Sequence, residues 1–256
     1  MELALNDEMN YVTQSGVDYL NFLAFADFPE IIAGFAVRGT ANKDYNWSDT
    51  NENYQQLAEV AGFNVDKMVR SMEQVHGADI ARVDSPDDMP NKVDALITNV
   101  PGITLVMRVA DCIDILMYDP MQKAIANVHS GWRGTLQQIG LKTVRRMQEE
   151  YGCRPEDIIA VLCPSIGPDH FEVTEEVRAQ FESEFGADHI EDNGNGHFLI
   201  DAPAYVMDNL EKAGLKREKI HNADFCTVCN RQLINSYRGN IESEKSMRNA
   251  AFLSII

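Results

Sequence analysis

Three short segments place metal-capable or acid–base side chains at the edges of apolar runs. They are Glu73-Gln74-Val75-His76-Gly77, Val109-Ala110-Asp111-Cys112 and Asn127-Val128-His129-Ser130-Gly131-Trp132-Arg133-Gly134. His76, Cys112 and His129 together offer two imidazoles and one thiolate, a donor set suited to zinc. Their spacing is far too long for a finger, and three protein ligands would leave a fourth position open, the pattern of catalytic zinc. Two further readings fit the same residues. The histidines can be hydrogen-bonded core or rim groups with Cys112 a small buried side chain. Alternatively, Cys112 is a nucleophile, His129 its base, and Asp111 or Asp114 the orienter.

The third segment also carries Ser130, Gly131 and Gly134 between a strand and a helix, so the backbone there can approach a ligand closely. A helix start offers unpaired N–H groups to an anion, and Arg133 adds a fork of donors for an oxyanion. The alternative is a tight strand-to-helix turn with a surface arginine. Elsewhere, Cys226-Thr227-Val228-Cys229 is a C-x-x-C with no second pair to complete a four-cysteine zinc site, so a structural role is expected. Cys163 is read as structural, His170 as an extra ligand candidate, and His189, His197 and His221 as loop residues without a nameable partner. Asp44 to Asn53 reads as a polar loop around Trp47.

The 256 residues carry 22 Lys and Arg against 40 Asp and Glu, a net charge of −18. Such a field opposes nucleic acid and anionic membranes, so neither is an expected partner, and an anionic substrate would need a local positive site. No apolar run reaches the length of a membrane span, and the acidic N-terminus does not resemble a signal peptide. Five cysteines, an odd count, fit free thiols or metal ligands in a reducing cytoplasm.

The elements that must position these residues alternate in period. Strands are expected at Ile31 to Arg38, Lys92 to Thr98, Thr104 to Val109, Ile113 to Tyr118, Ala124 to Val128, Ile158 to Cys163 and Phe252 to Ile256. Helices are expected at Asn53 to Ala61 and from Thr135 to Tyr151, where Gly152 supplies the stop. Two more follow caps at Thr174 and Asp201, the second ending at Gly214. With no repeat, linker or composition shift, residues 1–256 read as a single mixed α/β (α+β) domain.

Taken together the segments resemble the YfiH-like family, described both as multicopper polyphenol oxidase laccase-domain proteins and as purine nucleoside phosphorylases. The resemblance runs from Gly34-Phe35-Ala36-Val37-Arg38 to the C-terminus. It includes Gln74-Val75-His76-Gly77, Ala110-Asp111-Cys112 and Val128-His129-Ser130-Gly131-Trp132-Arg133-Gly134. Pro164 to Pro168 with Phe171-Glu172-Val173, Asp224-Phe225-Cys226-Thr227 and Ser236-Tyr237-Arg238 complete it. Departures from the pattern are Asp114, Asp169-His170, Cys163 and the glycine-poor Gly39 to Asp44.

The resemblance implies packed mixed β-sheets flanked by helices, distantly like cysteine-hydrolase-type deamidases, and zinc on His76, Cys112 and His129. It also implies phosphorolysis of adenosine, inosine and methylthioadenosine, and deamination of adenosine. In deamination, zinc would acidify a water that attacks the purine C6. Asp111 is expected to orient a ligand or shuttle a proton. Arg133 is expected to hold phosphate, with Arg38 as a second clamp. The alternatives are a copper polyphenol oxidase and a non-catalytic module stapled by zinc. Multicopper sites draw on many imidazoles, whereas this chain has six His and no His-x-His.

Overall fold

In Ile113–Asp119, Ile115 and Met117 face one way, Leu116 and Tyr118 the other, and all four are buried. A strand covered on both faces belongs inside a layered structure. The computed structural model, which describes residues 1–39, 45–48 and 51–256, is such a structure: a single mixed α/β domain built on two stacked sheets. The first has seven strands in the order Glu2–Ala4, Met9–Gln14, Val17–Phe22, Ile31–Ala36, Asn249–Ile255, Thr104–Val109, Met68–Arg70. The second has six, ordered Ile220–Asn222, Ile159–Leu162, Ile113–Asp119, Ala124–Ser130, Ala95–Thr98, Ile80–Arg82.

Between the sheets lies a core that includes Phe35, Leu105, Met107 and Leu253 from one side and Leu116, Ile125 and Val161 from the other. The outer face of the first sheet is covered by α1 (Asn51–Ala61), through Tyr54 and Leu57. A short helix, α2 (Trp132–Leu136), precedes α3 (Ile139–Tyr151). Then come α4 (Glu175–Phe185) and α5 (Ala202–Lys212). Val144 and Met147 of α3 and Val206 and Leu210 of α5 cover the outer face of the second sheet. A third sheet of three strands, with Val173 and Ile200, packs on Phe181 of α4. Among the described residues no helix is long and apolar enough to cross a membrane.

Two sequence expectations change. The helix expected from Thr135 to Tyr151 is split, because Gln138 adopts the left-handed conformation (φ 58°) and restarts the helix at Ile139. Apolar periodicity runs straight through the two-residue break at Gln137 and Gln138, so the pattern could not reveal it. The split lets Gly134 press against the loop carrying His76, while α3 lays its own stripe on the sheet: a Cβ at Gly134 would lie 2.9 Å from Gly77 O. The first 22 residues, which lie outside the resemblance, add three strands to the first sheet, two of them joined by a hairpin with Ser15 and Gly16 both at positive φ. The polar segment Thr40 to Asp44 lies outside the described residues. Of the loop expected around Trp47, that side chain is wholly buried and donates to Val37 O at 2.9 Å.

Candidate active site and metal centre

A buried carboxylate that the motif reading missed, Asp94, organises the site. It stands just before the strand Ala95–Thr98 and is fully buried. Its oxygens accept the backbone N–H groups of Val75 (3.2 Å), His76 (3.0 Å) and Gly77 (2.7 Å). Asp94 Oδ1 also lies 2.8 Å from His129 Nδ1. Burial pushes this carboxyl up, but the His129 contact and the N–H groups outweigh it and hold it below the usual carboxylate range. An ionised carboxylate can only accept, so Nδ1 is the donor and Nε2 of His129 is left to face the site. That is the wiring of a metal-ligating histidine. The same carboxylate fixes the turn that presents His76 at φ 59°, a conformation non-glycine residues seldom adopt.

Cys112 arrives from the third direction. Ala110, Asp111 and Cys112 form the link by which the chain passes from the strand Thr104–Val109 in one sheet to Ile113–Asp119 in the other, with Asp111 at φ 77°. In the adjacent ladder His129 lies opposite Asp114 and Ser130 opposite Ile113, which brings Cys112 to the end of the His129 strand. The ligand atoms of His76, Cys112 and His129 all lie within 4.8 Å of one another. The imidazoles meet edge to face at 4.7 Å. Gly131 leaves the space for His76, since a Cβ there would sit 2.7 Å from its Cδ2. A thiolate and two imidazoles, one of them oriented from behind by a carboxylate, fit a borderline-soft divalent ion such as zinc.

Without an ion these groups polarise one another. Burial opposes the Cys112 thiolate, but His129 and His76 bring the thiol down to about 6. Burial likewise opposes charge on His129, and Cys112 with Asp94 outweighs it and pushes His129 up. In metal-stripped protein, iodoacetamide should therefore label Cys112 with a half-maximal rate near pH 6, well below the 9.0 of an ordinary thiol. Loading the ion should slow labelling until a chelator is added. Peptide-resolved mass spectrometry checks both, and fast labelling of the loaded protein would favour a free nucleophile.

Neither candidate orienter hydrogen-bonds the His129 ring, although Asp111 lines the same cavity and Asp114 lies opposite His129 in the ladder. Asp111 accepts the hydroxyls of Thr227 and Ser236 and the backbone N–H of Arg238, each at 2.6 Å, so it anchors the C-terminal segment. Asp114 is buried beside His129 with no hydrogen-bond partner for either oxygen among the described residues. Burial, reinforced by Cys112, pushes its carboxyl well above the ordinary range, which keeps it neutral. Asp94 takes the orienting place instead. A signal for it was present in the sequence: an acidic residue opening the apolar run Ala95 to Thr98, where only a partnered carboxylate is tolerated.

The three ligands open into a cavity of about 950 Å³. Trp132, Phe171 and Tyr237 supply aromatic wall, and Arg108, Arg133, Arg238 and Arg248 supply charge. In a chain at −18, these four guanidiniums outnumber the two lining carboxylates, Glu73 and Asp111, so basic side chains concentrate here. Arg133 stacks on Trp132 at 4.2 Å, at the start of α2. That helix has only five residues, so its dipole adds little to the attraction of an anion. Arg38 is not among the described residues lining the cavity; its guanidinium forms a two-pronged pair with Glu244 at 2.8 and 3.0 Å. His189, His197 and His221 each meet a carboxylate, respectively of Asp208, Glu172 and Glu8, away from this cavity.

Residues 38–255 match the family model described as multi-copper polyphenol oxidoreductase laccase. The chain belongs to this family. Within it, the chain is 30% identical over 241 residues to a purine nucleoside phosphorylase of Clostridium acetobutylicum, covering 90% of this chain and 95% of that one. It is 35% identical over 189 residues to the mouse purine nucleoside phosphorylase LACC1, but spans only 41% of that protein's length. Among solved structures, YlmD from Geobacillus stearothermophilus superimposes with a TM-score of 0.85 over 96% of this chain and 98% of that one, at 24% identity. YfiH of Bacillus licheniformis also reaches 0.85, at 21% identity. This chain thus shares the layered fold of the YfiH structure.

Proposed function

We propose that this laccase-domain chain is a zinc-dependent purine nucleoside phosphorylase, acting on adenosine, inosine and methylthioadenosine, with a second activity as an adenosine deaminase. The observation that carries the reading is one cavity, of nucleoside size, where aromatic faces, arginines and the His76–Cys112–His129 set converge. Relatives named as purine nucleoside phosphorylases support it. Trp132, Phe171 and Tyr237 offer faces for a purine ring. Arg133, with the N–H groups beside it, holds phosphate.

In phosphorolysis a phosphate oxygen bonds to C1′ as the C1′–N9 bond breaks. The electron pair leaves with the purine, which takes up a proton. When bound, zinc supplies the Lewis acidity that water needs to displace ammonia from a purine C6. Asp94 keeps the proton of His129 on Nδ1, and Asp111 locks the segment bearing Tyr237 and Arg238 against the cavity. Asp111 is thereby a positioning residue in this scheme, and Arg38, paired with Glu244, is not among the described residues lining the cavity.

Formation of adenine, which requires phosphate, and of inosine with ammonia, which does not, from adenosine tests the reading. Arg133→Ala should lower phosphorolysis about ten- to a hundredfold, the loss expected when one charge-assisted contact of about 1.5–3 kcal/mol is removed. Deamination, which uses water in place of phosphate, should fall less. The check is kcat/KM for both products at several phosphate concentrations. Equal losses with metal content intact would place the phosphate site elsewhere, and turnover of polyphenols with copper but not of nucleosides would favour an oxidase.

A further inference from the structure

Behind one wall of the cavity, a second group of soft donors comes together. His170, Cys226 and Cys229 each offer a ligand atom, and these atoms lie within 4.8 Å of one another. His170 Nδ1 is 3.7 Å from Cys226 Sγ and 3.8 Å from Cys229 Sγ. Tetrahedral zinc, with Zn–S near 2.3 Å and Zn–N near 2.0–2.1 Å, requires sulfur–nitrogen separations of about 3.6 Å and sulfur–sulfur separations of about 3.8 Å. The two observed sulfur–nitrogen spacings come close to the first value, and the sulfurs lie within 4.8 Å of each other.

The backbone holds these donors in place. His170 N–H and Phe171 N–H both donate to Gly167 O at 3.0 Å, closing the turn that presents the imidazole. Across from it, Ser165 and Cys226 form a parallel bridge, Thr227 N–H donates to Ser165 O at 3.0 Å, and Asn230 N–H donates to Cys226 O at 3.1 Å. Gly167 N–H donates to Cys226 Sγ at 3.2 Å, the outer-shell contact that steadies a thiolate ligand. A Cβ at Gly167 would press on that cysteine, 3.2 Å from its Cβ and 3.4 Å from its sulfur. Three protein donors leave a fourth position for water or another ligand.

We infer that His170, Cys226 and Cys229 form a second metal site that takes a borderline-soft divalent cation of the zinc class. None of the three lines the cavity, so its ion is a clip and not a reagent. It joins the turn bearing Ile166 and Phe171 to the segment that ends in Tyr237 and Arg238, and all four of these side chains do line the cavity. Thr227, between the two cysteines, donates to the Asp111 carboxylate, one residue before Cys112. Arg238 closes the loop from the other side, donating from Nη1 to His170 O at 3.3 Å. Binding displaces the two thiol protons and leaves both sulfurs as thiolates.

The test counts metal and does not depend on the reaction proposed above. Full-length protein purified with reductant and without chelator should carry about two zinc-class ions per chain. Cys226→Ser/Cys229→Ser and His170→Ala should each keep about one, and Cys112→Ser should keep the other one. In the Cys112→Ser background, cobalt exchange should still give thiolate-to-cobalt charge-transfer absorption, which Cys226→Ser/Cys229→Ser should abolish. If a variant fails to fold, wild-type protein decides: a mercurial should release ions in two steps, with Cys226 and Cys229 protected from alkylation until one step has occurred. A single ion in wild type that vanishes with Cys112→Ser, or a Cys226–Cys229 disulfide in place of bound metal, would overturn the inference.

Discussion

Cys112→Ser should remove the ion held with His76 and His129 and lower kcat/KM for adenosine by at least about 100-fold. Loss of an outer-shell partner alone typically costs 10–100-fold in affinity or activity, and Cys112 is a direct ligand candidate. Serine keeps the size but replaces a soft thiolate with a hydroxyl that stays protonated near neutral pH. The change also removes the negative charge that pushes His129 up, so the imidazole should titrate lower than in the parent. Beyond the stabilisation lost with the ion, stability should change little, because the side chain is only partly buried where it packs against the core. Metal analysis and kcat/KM on one preparation, with circular dichroism as a fold control, decide the matter. Activity lost with this ion still bound would mean that Cys112 acts through its own sulfur. Activity kept with the ion gone would dissociate metal from catalysis.

Asp94→Asn should produce the second largest effect, and on two readouts at once. The carboxylate accepts three backbone N–H groups and faces His129 Nδ1, so one residue ties the His76 turn to the His129 strand. An amide presents an NH₂ to donors that need an acceptor. One buried charge-assisted bond left unmade costs about 1.5–3 kcal/mol, and stability should fall by at least that amount. The His129 tautomer is then no longer enforced, and metal affinity should drop about 10–100-fold. Denaturant unfolding followed with and without chelator, together with competition for zinc, measures both. Asp111→Asn is the informative contrast: its carboxylate serves Thr227, Ser236 and Arg238, so it should loosen the C-terminal wall while leaving His129 oriented. Equal metal affinity in Asp94→Asn and the parent would remove Asp94 from the site.

Acidification has a definite sign at Asp94. A carboxyl held below its ordinary range adds stability that is present above the unfolded pKa and fades as pH falls through the folded one. Asp114 acts in the opposite sense: burial raises its carboxyl, so its contribution is lost as pH rises above the ordinary carboxyl range, whereas that of Asp94 is lost as pH falls below it.

Much of this protein was legible one segment at a time. The strands Thr104–Val109, Ile113–Asp119 and Ala124–Ser130 follow from local apolar pattern, and the helix starts after Thr174 and Asp201 follow from local chemistry, although only Asp201 caps with its side chain, accepting from Ala204 N–H at 3.0 Å. So do the three motif segments, because a histidine or cysteine at the end of an apolar run is visible without knowing what lies across from it. The orientation of those side chains was not legible, because it depends on partners distant in sequence. Asp94 reaches His129 across two strands, and Asp111 reaches Ser236 over more than a hundred residues. The C-x-x-C looked incomplete because its third donor, His170, lies 56 positions from Cys226 in the chain. Side-chain type and period are properties of neighbouring residues, so the sequence by itself determined which groups could do chemistry and which runs had to be buried. Only the stacking of the two sheets, a balance of burial over the whole chain, decided which of those groups meet, which carboxylate orients His129, and which arginines face the cavity.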